Sequence, residues 1–96
     1  MKIDLTQTMN TLAGKPYMAD GKPLTLGMVL AEILATDGTG GKMKLFSLAQ
    51  RAYKDKSMDV DQADFNLIKG AAEKTNAYQG NAIILGQALE MLEKTK

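Results

Sequence analysis

The sequence contains no cysteine, which excludes disulfides, thiolate metal sites and cysteine nucleophiles together and fits a reducing cytosol. It contains no histidine either, the usual general base near neutral pH and the commonest transition-metal ligand. Hydrolase triads of the Ser-His-Asp kind and histidine-based zinc sites are therefore ruled out. A charge excess is also missing: twelve Lys and Arg stand against eleven Asp and Glu, a net of +1. No long-range field marks the chain for a nucleic acid or a membrane, and any electrostatic recognition must be local. No apolar run approaches the length of a bilayer span, and the opening "MKIDLTQTMN" lacks the apolar core of a signal peptide. The expected location is the cytoplasm, with no membrane partner.

What is present suits one soluble domain over residues 1–96. With 45% apolar and 24% charged residues, burial can offset the entropy of ordering the chain. Residues 1–24 differ from the rest. "KIDLT" alternates Ile3 and Leu5 with polar neighbours, and both prolines of the sequence fall in a Gly-Lys-Pro turn signal that recurs seven residues apart, in "AGKPY" and "DGKPL". This predicts an extended arm or a short β-hairpin.

Residues 25–96 read as a helical bundle. Thr25 is placed to cap a first helix, with Leu24 and Val29 as a hydrophobic staple and an apolar stripe of Leu26, Val29, Leu30, Ile33 and Leu34 ending at Asp37-Gly38. A second helix, from about Lys42 to Asp55, sets Leu45, Phe46, Leu48, Ala49, Ala52 and Tyr53 on one side and Lys44, Ser47, Gln50, Arg51 and Lys54 on the other. The connector "SMDVDQAD" leads to a third helix capped by Asp61 and stapled by Val60 and Phe65, running to about Lys74. A fourth, capped by Asn81, is so widely apolar that it is expected at the centre of the bundle. The fold class is thus mainly α: a small four-helix domain with an N-terminal extended arm or short β-hairpin. Seven methionines, and Gly27, Gly70 and Gly86 inside the predicted helices, point to close helix contact within the fold or between subunits, so self-association stays open.

Three stretches invite chemistry. "ATDGTGGKMK", Ala35 to Lys44, approaches a phosphate-binding loop, but Thr36 stands where its first glycine is needed and Met43 where a hydroxyl should bind magnesium, and no strand precedes it. It reads as a glycine linker, or as a set of amides with Lys42 that attracts an anion at a helix start; both stay open. "MDVDQAD" fails as a calcium loop, with Ala63 at its fifth position, Asp64 in place of glycine at the sixth and Gly70 in place of glutamate at the twelfth. Residues 42–56 carry Lys42, Lys44, Arg51, Lys54 and Lys56 against Asp55, a local +4. Their polar side shows no aromatic residue for base stacking and no helix-turn-helix signature goes with it, so it reads as a solvated helix face, whose charges an acidic protein partner would also use. No catalytic, cofactor or metal residues are expected. The candidate partner-binding residues are Thr39, Gly40, Gly41, Lys42, Lys44, Arg51 and Lys54.

The order and spacing of "MKIDLTQ", "DGKPLTLGMVLAEIL", "VDQADFNLIK" and "AIILGQALEMLE" resemble those of small proteins encoded by tailed bacteriophages and prophages. The resemblance implies a non-enzymatic accessory protein of the bacterial host's cytoplasm or of the virion. Such a protein acts by binding a phage structural protein or a host protein, in virion or tail assembly or in control of a host factor. The resemblance supplies no catalytic residue. The alternative is a nucleic-acid-associated regulator using the basic face of the second helix.

Overall fold

A computed structural model describes residues 1–36 and 41–95. The protein is mainly helical, with α1 at Leu26–Thr36, α2 at Lys42–Lys54, α3 at Gln62–Lys74 and α4 at Ala82–Thr95. Three helices start where side chains stop the first-turn amides from going unpaired. The Thr25 hydroxyl accepts from the Met28 N–H at 3.3 Å, the Asp61 carboxylate from the Asp64 N–H at 2.8 Å, and the Asn81 side-chain oxygen from the Ile83 N–H at 2.8 Å. The four staple residues Leu24, Val29, Val60 and Phe65 are all buried in the one core cluster. Each cap contributes about 1 kcal/mol.

The arm contains the expected hairpin. Strands β2 (Met18–Ala19) and β3 (Lys22–Pro23) pair across Asp20-Gly21, which have φ of 52° and 78°. Two successive positive φ values favour Asp-Gly in a two-residue hairpin loop, because they match the twist of the strands. A second pairing lies outside the sequence reading. Strand β1 (Lys2–Asp4) runs antiparallel to β4 (Ser57–Asp59), with Ile3 opposite Met58, both of them buried. Residues 57–59, taken as connector from the sequence, are therefore a strand, and it fastens the arm between α2 and α3.

The arm also caps α1 with its backbone. The Gln7 carbonyl accepts from the Leu26 N–H at 2.7 Å and the Leu5 carbonyl from the Gly27 N–H at 3.0 Å, so the start of α1 is satisfied by main chain as well as by Thr25. At its far side the arm is held by Gln87 of α4. The side-chain amide of Gln87 accepts from the Asn10 N–H at 3.0 Å and donates to the Asn10 carbonyl at 2.6 Å. One side chain thereby pairs both polar groups of a backbone unit, as a neighbouring strand would.

The central helix is α1 and not α4. It packs on α2, α3 and α4, and buries Leu26, Gly27, Val29, Leu30, Ala31, Ile33 and Leu34, seven of its eleven residues. In α4 only Ile84, Leu85, Ala88 and Leu92 are buried, while Ile83, Leu89 and Met91 are half-covered. The reason lies in polar content: Glu32 is the only charged residue of α1, whereas α4 carries Glu90, Glu93 and Lys94 on its outer side. The buried apolar side chains of the arm and all four helices form one cluster.

Of the three helix glycines, Gly27 is the one set in a close approach. A Cβ there would collide with the Ala52 carbonyl oxygen of α2 and sit 3.1 Å from the Leu5 Cβ, whereas nothing lies within 4 Å of a Cβ built on Gly70 or Gly86. Backbone cannot step aside as a flexible side chain can, so Gly27→Ala should destabilise the fold by on the order of 2 kcal/mol through overpacking. Gly86→Ala, on an exposed turn of α4, should instead stabilise it by up to ~1 kcal/mol through helix propensity. Urea unfolding of the two variants beside the parent checks both signs.

Candidate partner-binding groove

Helix α2 does not bury the whole side that its periodicity marks as apolar. Leu45, Leu48, Ala49 and Ala52 are buried, but Phe46 is 64% exposed and Tyr53 67% exposed. This corrects the expectation that both face the core. Helix α2 packs chiefly on α1, with lesser contact to β4, and one partner helix covers a narrower strip than the apolar arc of α2. The two aromatic rings are left on its flank. Met43 is more exposed still, at 88%.

Phe46 and Tyr53 line a groove of about 330 Å³ between the two helices. Helix α1 contributes Met28, Ala31, Glu32 and Ala35, and α2 adds Ala49, Gln50 and Lys54 beside the aromatics. On both helices the lining positions recur at three, four and seven residues, the spacing of a single helix face. The floor is apolar, and among the described residues its charged groups are Glu32 on the α1 wall and Lys54 on the α2 wall.

The sequence-derived site residues separate into three groups. Thr39 and Gly40 lie outside the described residues, as does the rest of the 37–40 segment. Gly41 and Lys42 open α2, with Gly41 in an extended conformation and no side chain capping the helix. Lys44 and Arg51 turn toward the body of the protein. The Lys44 ammonium lies 3.1 Å from the Asp64 carboxylate, and Arg51 donates to the Asp59 carbonyl at 2.8 Å, so both are engaged in fastening α2 to the β4–α3 segment. Lys54 faces the groove. The basic face is thus divided, and the reading that no aromatic residue accompanies its cations is corrected: Phe46 and Tyr53 are exposed next to Lys54. Helical spacing hinted at this pair, since Phe46 and Tyr53 sit at the edge of the apolar arc, but the sequence does not state how wide a strip α1 would cover.

The aspartates of 59–64 have separate tasks. Asp61 caps α3, Asp64 meets Lys44, and Asp59 lies 3.3 Å from the ammonium of Met1. Among the described residues no group of three or more acidic side chains could hold a metal ion.

One further ionisable group stands out at the turn before α4. Tyr78 and Gln79 have φ of 55° and 57°, and Gly80 follows at 72°. The left-handed region costs a non-glycine residue about 1 kcal/mol or more. Holding the Tyr78 ring half-buried against the core is what the turn achieves. Burial pushes the Tyr78 phenol above its ordinary value of 10.0, and the nearby Glu32 carboxylate pushes it further. The folded protein therefore holds that proton more tightly than the unfolded chain. The resulting stabilisation is complete below pH about 10 and is lost as pH rises through the folded value. In an alkaline absorbance titration, Tyr78→Phe should remove a phenol that ionises above its ordinary value, and Glu32→Gln should bring that step to lower pH. The same Tyr78→Phe change should flatten the fall of stability above pH about 10.

No protein-family model matches the chain, no curated protein is detectably similar to it, and no solved structure matches it. Its own residues, above all the aromatic groove between α1 and α2, are what a functional reading has to stand on.

Proposed function

We propose that this protein is a non-enzymatic binding module whose partner is another protein, held at the α1–α2 groove. The observation that carries the reading is the exposure of Phe46 and Tyr53 on an apolar floor. Large aromatic side chains left in water beside a concavity are the usual anchors of protein interfaces. The absence of histidine and cysteine from the sequence argues in the same direction by removing the commonest catalytic groups. The wider role is that of a phage-encoded accessory protein, acting on a phage structural protein or a host protein in the bacterial cytoplasm or on the virion.

A second reading has one observation in its favour. Phe46 and Tyr53 are exposed on the same helix as Lys42 and Lys54, and aromatic rings beside cations are what single-stranded nucleic acid stacks on. Against it, Lys44 and Arg51 are engaged with Asp64 and the Asp59 carbonyl, which leaves fewer cations to follow a phosphate backbone.

Affinity capture with the tagged protein from lysates of infected and uninfected host cells, with and without nuclease, separates the two. The expected result is one protein retained after nuclease treatment, and a loss of about tenfold or more in its capture by the Phe46→Ser, Tyr53→Ser variant. Both side chains are already exposed, so the variant should keep the parent's helical content. Recovery of nucleic acid alone, abolished by nuclease, would select the second reading.

A further inference from the structure

The shape and charge of the groove define its occupant more narrowly. Resting on the protein-binding reading, we infer that the α1–α2 groove receives a single amphipathic helix of the partner, apolar along its middle and acidic at both ends.

The first argument is shape. Two antiparallel helices that pack side by side leave a furrow, and here it is lined at helical spacing from Met28 to Ala35 on α1 and from Phe46 to Tyr53 on α2. Each wall is about two turns long, or ~10 Å. That length takes apolar side chains at i, i+3 or i+4, and i+7 of an incoming helix, the pattern of helix-in-groove recognition. A second copy of the chain fits less well. Nine of the described residues line the groove, whereas a stable interface needs roughly 20–30 residues from each side.

The second argument is charge. Lys42 stands one turn before Phe46 on the same side of α2, and Lys54 lines the groove beside Tyr53. Both are exposed, and twelve residues of helix set them ~18 Å apart. They bracket the apolar floor at its two ends. Lys44 and Arg51 are engaged on the other flank of α2, so Lys42 and Lys54 are the cations of α2 left for this face; they oppose their own copies across a two-fold axis and attract acidic side chains. Among the described residues, Glu32 on the α1 wall is the single acidic group of the lining. It disfavours acidic side chains at the middle of the occupant and leaves them to its ends.

The test uses the full chain, isotope-labelled for amide NMR, and two synthetic helical peptides of about twelve to fourteen residues. They share leucines at i, i+4 and i+7; one carries glutamates at both ends and the other lysines. The acidic peptide should move the amide signals of Met28, Ala35, Phe46 and Tyr53 and bind about tenfold tighter than the basic one at low salt, with the gap shrinking as salt rises. The Lys42→Glu, Lys54→Glu variant should reverse the preference, its unchanged signals in α3 and α4 showing that the fold is intact. Equal binding of both peptides, or shifts confined to another surface, would overturn the inference. So would groove signals that move on dilution of the protein alone, which would assign the site to a second copy. A single-stranded oligonucleotide that moves them when neither peptide does would assign it to nucleic acid. Should the captured partner bind the Phe46→Ser, Tyr53→Ser variant undiminished, the groove falls as the site while the binding-module reading stands.

Discussion

Everything in this fold depends on how closely the backbone of α1 is allowed to approach its neighbours at Gly27. There the Ala52 carbonyl near the end of α2 and the Leu5 residue of the arm converge on one helical position that has no side chain. Helices separated by ordinary side chains sit 8–10 Å apart. Removing one Cβ lets α2 close in at its last turn and lets the arm pass over the start of α1 near enough for the Leu5 carbonyl to accept from the Gly27 N–H. The propensity cost of glycine in a helix, roughly 1 kcal/mol, is exchanged for three elements meeting at one point. The capping of α1, the course of the arm and the position of α2 then follow from the same contact.

The groove follows from it too. Because α2 is fixed chiefly by α1, only the strip through Leu45, Leu48, Ala49 and Ala52 is covered, and the aromatic flank is left in solvent. Lys44 and Arg51 hold the opposite flank of α2 to the β4–α3 segment. This fixes the rotation of α2 about its own axis and hence the direction in which Phe46 and Tyr53 point. The ion pair is half-exposed and contributes little to stability. Its consequence is orientation.

The helix starts were legible in the sequence because their causes are local. A capping residue, a staple and an apolar stripe all fall within ten residues of one another, as with Asp61, Val60 and Phe65. The Asp20-Gly21 hairpin was legible for the same reason. Two things were not. Three-residue strands such as β1 and β4 carry no period long enough to notice, and their partners stand 55 residues apart, as with Ile3 and Met58. The exposure of Phe46 and Tyr53, and the central place of α1 rather than α4, depend on how much surface each neighbour covers. A helical wheel shows which residues share a side; it does not show how many helices stand against that side. Both aromatic residues of the candidate site were therefore misplaced, while Lys54 was recognised as a surface cation without its neighbours.

The β1–β4 ladder has a consequence for the order in which the protein takes shape during synthesis. Ile3, fully buried against Met58, precedes its strand partner by 55 residues and so leaves the ribosome well before it. At 5–20 residues per second β1 waits on the order of several seconds without its partner strand. In that interval the hairpin and α1 emerge whole, whereas α2 ends only just before β4 begins. The ladder cannot close before all of these have emerged, so it ties off a loop that holds both of the helices bearing the groove.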